Sequence, residues 1–417
     1  MERFLGTAEH YFWLHDQVLP IHFALTARIS GNFSLDQLRR SLTQVQLQHP
    51  LLRVRIAVSE TGHPKFVEQI APIPLRLAVR SDEHCWQREV EIELTRSFDW
   101  TTAPLFRVVL LQSETVSELI VTCHHAIADG MSVAYLIRDI VQGLESESSS
   151  TRKLSEVPPI DQLIPGQESA TAPQATSSRE YSTIVSSRPR PHVRTALLSA
   201  KLTEQVCDRA RQEKTSVHSA ISAAFLLAMA RQREVVLKCK SPINVRSQLT
   251  PSPGETMGLY ISYGITHHDL KPDSSLWETA RSLKAQLAEI MSSSQVFAVI
   301  YQAQTQLASL PAAEAVCFAL QQPPNCDLIV TNLGRLPFEA QFGSLQLEAI
   351  YGPAVLNGME HERLVGVATL GDRLSLTVTQ PSTTSETEAS ASLEEALALL
   401  NQAVLAPWRE SRPLFVV

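Results

Sequence analysis

The residues best suited to chemistry lie in the stretch VTCHHAIADGMSV, residues 121–133, where His124 and His125 stand side by side ahead of Asp129 and Gly130. Three chemistries are open to such a set. A metal site would need its ligands on one side of the backbone, yet successive residues of a strand point to opposite faces. The spacing is neither HxH nor HExxH, and no cluster of cysteines or carboxylates accompanies the pair, so no metal is expected. The second pair, His267 and His268, has the same weakness and reads as a polar strand end. A nucleophilic dyad of Cys123 with His125 would share a face. Two residues of extended chain, however, span about 6.6 Å, whereas nucleophile and base must approach to about 2.6–3.2 Å. General-base catalysis fits better: one imidazole at a strand end faces a cleft while its neighbour turns into the core. A ring with an ordinary pKa of about 6.5 accepts a proton from an attacking hydroxyl at neutral pH. The plain alternative, two polar residues at a strand–helix junction, stays open on the residues alone.

The motif must be positioned by the elements around it. Apolar runs of strand length at 106–111 and 119–123 lead into it, and after Gly130 the residues Val133, Leu136, Ile137, Ile140, Val141 and Leu144 recur at helical spacing. The motif therefore joins a strand to a helix. Upstream, Leu35, Leu38, Leu42 and Val45 predict a helix capped by Ser34 and stopped before Pro50, and Arg53–Ile56 alternates like a strand. Residues 145–191 are rich in Ser, Pro, Thr and Gln and read as a long connector between an N-terminal domain at 1–144 and a C-terminal domain at 192–417. In the second half, strands are predicted at 195–202, 235–245, 257–266 and 327–331, with helices at 203–213, 216–231 and 275–292. Gly371-Asp372 is a glycine-first turn suited to a hairpin between 364–370 and 374–379. Mixed helices and strands in both halves give two α/β layers.

Composition narrows the function classes. A chain of 417 residues is longer than one core usually serves, so two domains are expected. The formal net charge of -7 gives no basic surface for nucleic acid. The six cysteines are scattered without metal-ligand spacing and read as buried thiols of a reducing compartment. The N-terminal stretch MERFLGTAEHYFWLHD carries acids and histidines where a signal peptide needs an apolar core, so cytoplasmic residence is expected. The longest apolar segment, 220–230, is far short of the roughly 20 residues of a membrane span and reads as a core helix.

HHAIADG matches HHxxxDG and resembles the active-site motif of the chloramphenicol acetyltransferase-like superfamily, which includes condensation domains and polyketide-associated acyltransferases. LQHPLLRVRI (47–56), FDWTTAPLFRVVLL (98–111), SVHSAISAAFLLA (216–228), SPINVRSQLTP (241–251) and IVTNLGRLPF (329–338) are similar to further segments of that superfamily, so the resemblance covers nearly the whole chain. It is nearest to free-standing acyltransferases of the dimycocerosyl-transferase type; the DFGWG box of the plant branch is absent.

The resemblance implies two similar chloramphenicol-acetyltransferase-like α/β domains meeting at a central channel, with acceptor and donor entering from opposite ends. It implies His125 as general base, His124 as structural support, and Asp129 paired with an arginine of the second half, for which Arg246 is the matching position. Gly130 is where the chain turns closely past the site. Asn332 and Gly334 fall in a segment that reaches from one domain over the other, and are candidates for the channel, the alternative being turn residues after a short strand. The implied reaction is transfer of an acyl group from acyl-CoA or a phosphopantetheine-linked acyl carrier protein to an alcohol acceptor, with no bound cofactor. A carrier protein or polyketide synthase is the implied partner, and a monomer is expected. Amide formation and a non-catalytic recruitment module are the rivals.

Overall fold

Local signals in the chain set the elements that frame the motif. Ser34 caps the helix Leu35–Gln48 by accepting from the Gln37 N–H, while the Gln37 side chain reaches back to the Ser34 N–H. Asp129 does the same work for the helix Gly130–Glu145: its Oδ1 accepts from the Ser132 N–H at 2.8 Å. Both helices pack on one face of a sheet whose strands alternate in facing. Leu119 and Val121 point to these helices, and Ile120 points to the helix Cys85–Thr95 on the other face.

The computed structural model describes residues 2–145, 158–166, 189–231, 233–292, 295–321, 326–356 and 363–407. Two six-stranded sheets dominate it. The first runs Gln341–Phe342, Leu345–Val355, Phe23–Ser30, Val116–Cys123, Phe106–Gln112, Leu75–Ala78. The second runs Ile261–Leu270, Val235–Asn244, Leu328–Arg335, Arg363–Leu370, Arg373–Gln380, His192–Leu197, and is covered by the helices Ala200–Gln212, Val217–Ala230, Leu276–Met291 and Glu386–Leu405. A small sheet of Glu2–Phe4, Pro64–Glu68 and Val54–Val58 lies apart from both. The two-layer α/β reading holds in each half, and the hairpin at Gly371 forms with φ +56° at that glycine. No helix among the described residues is long and apolar enough to cross a membrane.

Sheet membership departs from the linear division at 192–417. After the second-sheet strand Leu328–Arg335 the chain crosses over, completes the first sheet with Gln341–Phe342 and Leu345–Val355, and returns at Arg363–Leu370. The physical reason is edge satisfaction: Leu345–Val355 pairs antiparallel with Phe23–Ser30, whose backbone would otherwise be an open edge. The halves also clasp side by side. Ser375 Oγ donates to Ile350 O at 2.6 Å, and a Cβ on Gly366 would stand 2.2 Å from Pro353 O.

Two predicted strands are displaced. The strand expected at 195–202 is His192–Leu197, because Ser199 caps the helix Ala200–Gln212. The strand expected at 257–266 is Ile261–Leu270, because the backbone before it bonds to the HHxxxDG turn instead of a neighbouring strand. Of the expected connector, 158–166 is packed: Ile160, Leu163 and Ile164 are buried against Val245, Leu249 and Tyr260. Residues 146–157 and 167–188 lie outside the described residues.

Candidate active site

The strand before the motif ends at Cys123, so the histidines occupy a turn rather than a strand. The turn is fixed by backbone bonds: His124 N–H donates to Leu105 O at 3.0 Å, and Ile127 N–H to His124 O at 3.1 Å. The two rings still diverge. His124 is fully buried, and its Nδ1 accepts from the Ala126 N–H at 3.1 Å, which places a ring proton on Nε2, 3.4 Å from Asp16 Oδ2. Asp16 lies between His124 and His22 and also accepts from the Ile21 N–H at 2.9 Å. Burial alone would push this carboxyl up, but the two imidazoles hold it well below the ordinary carboxylate range.

His125 turns the other way, into a cavity of about 750 Å³ between the halves. Its ring is held between Phe12, stacked at 4.2 Å and 16°, and Phe23 at 4.7 Å. Nδ1 is the buried nitrogen, so the Nε2 edge is the one presented to the cavity. Burial pushes the pKa of this ring down to about 4, opposed by nearby backbone carbonyls and the charge of Asp129. The ring is therefore neutral at physiological pH, with an unprotonated nitrogen available.

Asp129 and Arg246 tie the halves together beneath the cavity. Arg246 Nη1 donates to Asp129 Oδ2 at 2.6 Å and Nη2 to Ser132 Oγ at 2.8 Å. The Tyr260 N–H donates to Asp129 Oδ2 at 3.0 Å, Asp129 N–H to Gly258 O at 3.0 Å, and Ser132 Oγ to Gly258 O at 2.8 Å. The Asp129 side chain is 1% exposed; burial would raise its pKa, but the Arg246 charge and these donors keep it lowered. Gly130 lets the helix start pack closely: a Cβ there would meet Leu333 Cδ2 of the strand Leu328–Arg335 at 2.7 Å and Pro353 Cγ of the crossing segment at 3.0 Å.

The remaining sequence candidates separate. Asn332 lines the cavity, whereas Gly334 does not; it turns the chain with φ +72°, its N–H held by Asn332 Oδ1 at 2.7 Å. The second pair divides: His267 is exposed, as expected of a polar strand end, whereas His268 is buried within the strand with Nε2 2.9 Å from Thr266 Oγ1. Cys123 is fully buried with its thiol pushed well above the ordinary value by desolvation, so it is no nucleophile at neutral pH. The helix Thr7–Val18, which supplies Phe12 and Asp16, escapes the sequence reading, in which that stretch bears only on the question of a leader. Its signal is present: Phe12 and Asp16 are four residues apart and share one helical face.

Comparison with known proteins places this geometry among relatives. One of the linear gramicidin synthase proteins of Brevibacillus parabrevis is 28% identical over 169 residues, 37% of this chain but 3% of that protein, so the chain spans a small part of such synthases. A probable alcohol acetyltransferase of Aspergillus fumigatus is 23% identical over 308 residues, 65% of this chain and 66% of that protein. Among solved structures, polyketide synthase associated protein 5 from Mycobacterium tuberculosis matches at TM-score 0.67 and 17% identity, covering 97% of this chain and 98% of that one. The trichothecene 15-O-acetyltransferase from Fusarium sporotrichioides matches at TM-score 0.72 and 10% identity, covering 96% and 95%. These likenesses show the fold, two chloramphenicol-acetyltransferase-like halves around a channel. The Condensation domain profile matches residues 13–308, most of the chain, and the chain belongs to the condensation-domain family.

Proposed function

We propose that the chain transfers an acyl group from a thioester, carried by CoA or by the phosphopantetheine of a carrier protein, to the hydroxyl of an acceptor, with His125 as general base. The observation that carries this reading is the placement of the His125 ring, clamped between Phe12 and Phe23 with its Nε2 edge in the cavity between the halves, where burial favours the neutral form. The acceptor O–H proton passes to Nε2 as oxygen bonds to the thioester carbonyl carbon. The tetrahedral intermediate then expels the thiolate, which takes the proton back from the imidazolium. The N–H groups of Gly130 and Met131, which line the cavity at the start of the helix, are assigned to the oxyanion. His124 and Asp16 hold the turn, the Asp129–Arg246 pair fixes the helix start against the second half, and Asn332 offers a polar contact to substrate. Transfer is direct, because the inert Cys123 leaves the motif without a nucleophile.

An alcohol acceptor is supported by the likeness to the Aspergillus alcohol acetyltransferase, which extends over about two thirds of both chains. The local match to gramicidin synthase favours an amine as the second reading. Mass spectrometry of products from a mixed panel of acyl thioesters with alcohols and amines decides between them. Ester products that vanish with His125→Ala are expected; amide products alone would move the acceptor to the second reading, and no product from any pair would remove acyl transfer.

A further inference from the structure

The cavity carries one charge that the proposed reaction does not use. Among the described lining residues, the acidic, lysine and arginine side chains are Asp129, Arg246 and Lys240, and the first two neutralise each other. Lys240 is in the middle of the strand Val235–Asn244, directly opposite Ile265 on one side and Ile329 on the other, and all three line the cavity. In-register neighbours share a face, so the ammonium rises from an otherwise apolar strip of the channel wall. It is half-buried, forms no ion pair with a carboxylate among the described residues, and rests 4.2 Å from the centre of the Tyr263 ring. An aromatic face steadies a cation without neutralising it. A half-buried ammonium with no counter-ion raises the field of the channel and favours a ligand that brings the missing negative charge.

The position fixes which end of the channel is concerned. Asn244 lies beside the Asp129–Arg246 network, and Lys240 is four strand residues away, about 13 Å further along the wall at about 3.3 Å per residue. The charge therefore sits away from that network, where it would bind a remote part of a substrate rather than the reacting atoms.

We propose that Lys240 is a specificity residue that anchors the anionic group of a substrate in the channel: a carboxylate on the acyl chain or acceptor, or the phosphate of a pantetheine-borne donor. This rests on the acyl-transfer reading for its choice of ligands. A charge-assisted contact in an apolar channel is worth a preference of about ten-fold or more over a neutral ligand of the same shape.

The test is equilibrium calorimetry on the full chain with two matched pairs of probes, octanoate against octan-1-ol and phosphopantetheine against pantetheine. Wild-type protein is expected to bind the anionic member of one pair at least about ten-fold more tightly, the pair identifying carboxylate or phosphate as the source. The preference should disappear in Lys240→Gln and persist in Lys240→Arg. Equal affinities within both pairs for wild-type protein, or a preference that survives Lys240→Gln, would overturn the assignment. Because binding is read without turnover, these outcomes are separate from those of the product panel. A protein that selects anions through Lys240 but transfers no acyl group keeps this inference and loses the reaction, and the reverse result does the opposite.

Discussion

Removal of Asp129 is the sharpest perturbation the structure offers, because one carboxylate holds both the helix start and the second half. Asp129→Ala would leave Arg246 Nη1, the Ser132 N–H and the Tyr260 N–H without their acceptor at once, in a site the side chain fills at 1% exposure. Breaking a buried ion pair by deleting one partner costs about 3–5 kcal/mol, chiefly for the charge left behind. At about 2–4 °C per kcal/mol for a cooperative unit of about 200 residues, the melting temperature should fall by about 6–20 °C. Arg246→Ala should cost less, since the carboxylate keeps two backbone donors and only the guanidinium contacts to Asp129 and Ser132 are lost. The double variant should be less destabilised than the sum of the singles by about 1 kcal/mol or more, as expected for groups in one network. Denaturant unfolding followed by circular dichroism measures all three. Losses that add within about 0.5 kcal/mol would refute the energetic coupling of the pair, whatever its geometry.

Three further outcomes follow from the same structure. His125→Ala should lower turnover by about 10²- to 10⁴-fold with the melting temperature little changed, and near-wild-type turnover would end the general-base assignment. Gly366→Ala should strongly destabilise the chain, because its Cβ would stand 2.2 Å from Pro353 O and 2.6 Å from Gly352 C, backbone atoms that cannot rotate aside; an unchanged melting temperature would show that the sheets are not clasped there. Stability should fall in acid: burial depresses His10, His125, His218 and His268 to about 4, so between about 6.5 and 4 the unfolded chain holds more protons than the folded one. The stability these rings contribute is complete above about 6.5 and is lost as pH falls toward 4, with Asp161, raised to about 6 by burial, acting in the opposite sense. Melting temperatures that stay flat from pH 7 to about 4.5 would contradict that balance.

What the sequence determined by itself was local. The spacing of Val133, Leu136, Ile137, Ile140 and Val141 after Gly130 dictates a helix, and the apolar run before His124 dictates a strand, because both depend only on neighbours within a few residues. The motif HHxxxDG was legible for the same reason, as was Arg246 through its own segment and the resemblance that paired it with Asp129. The tertiary structure decided everything that joins distant residues. Phe12 and Asp16 take their places beside His125 and His124 only when the helix Thr7–Val18 packs under a turn more than 100 positions away. The fifteen or so residues that cross into the first sheet carry an ordinary strand pattern, which is silent about which of two sheets they join; the open edge at Phe23–Ser30 makes that choice. Lys240 falls unmarked within the predicted strand 235–245, and its place between Ile265 and Ile329 is set by strand register, a property of three segments pairing together that no one of them contains.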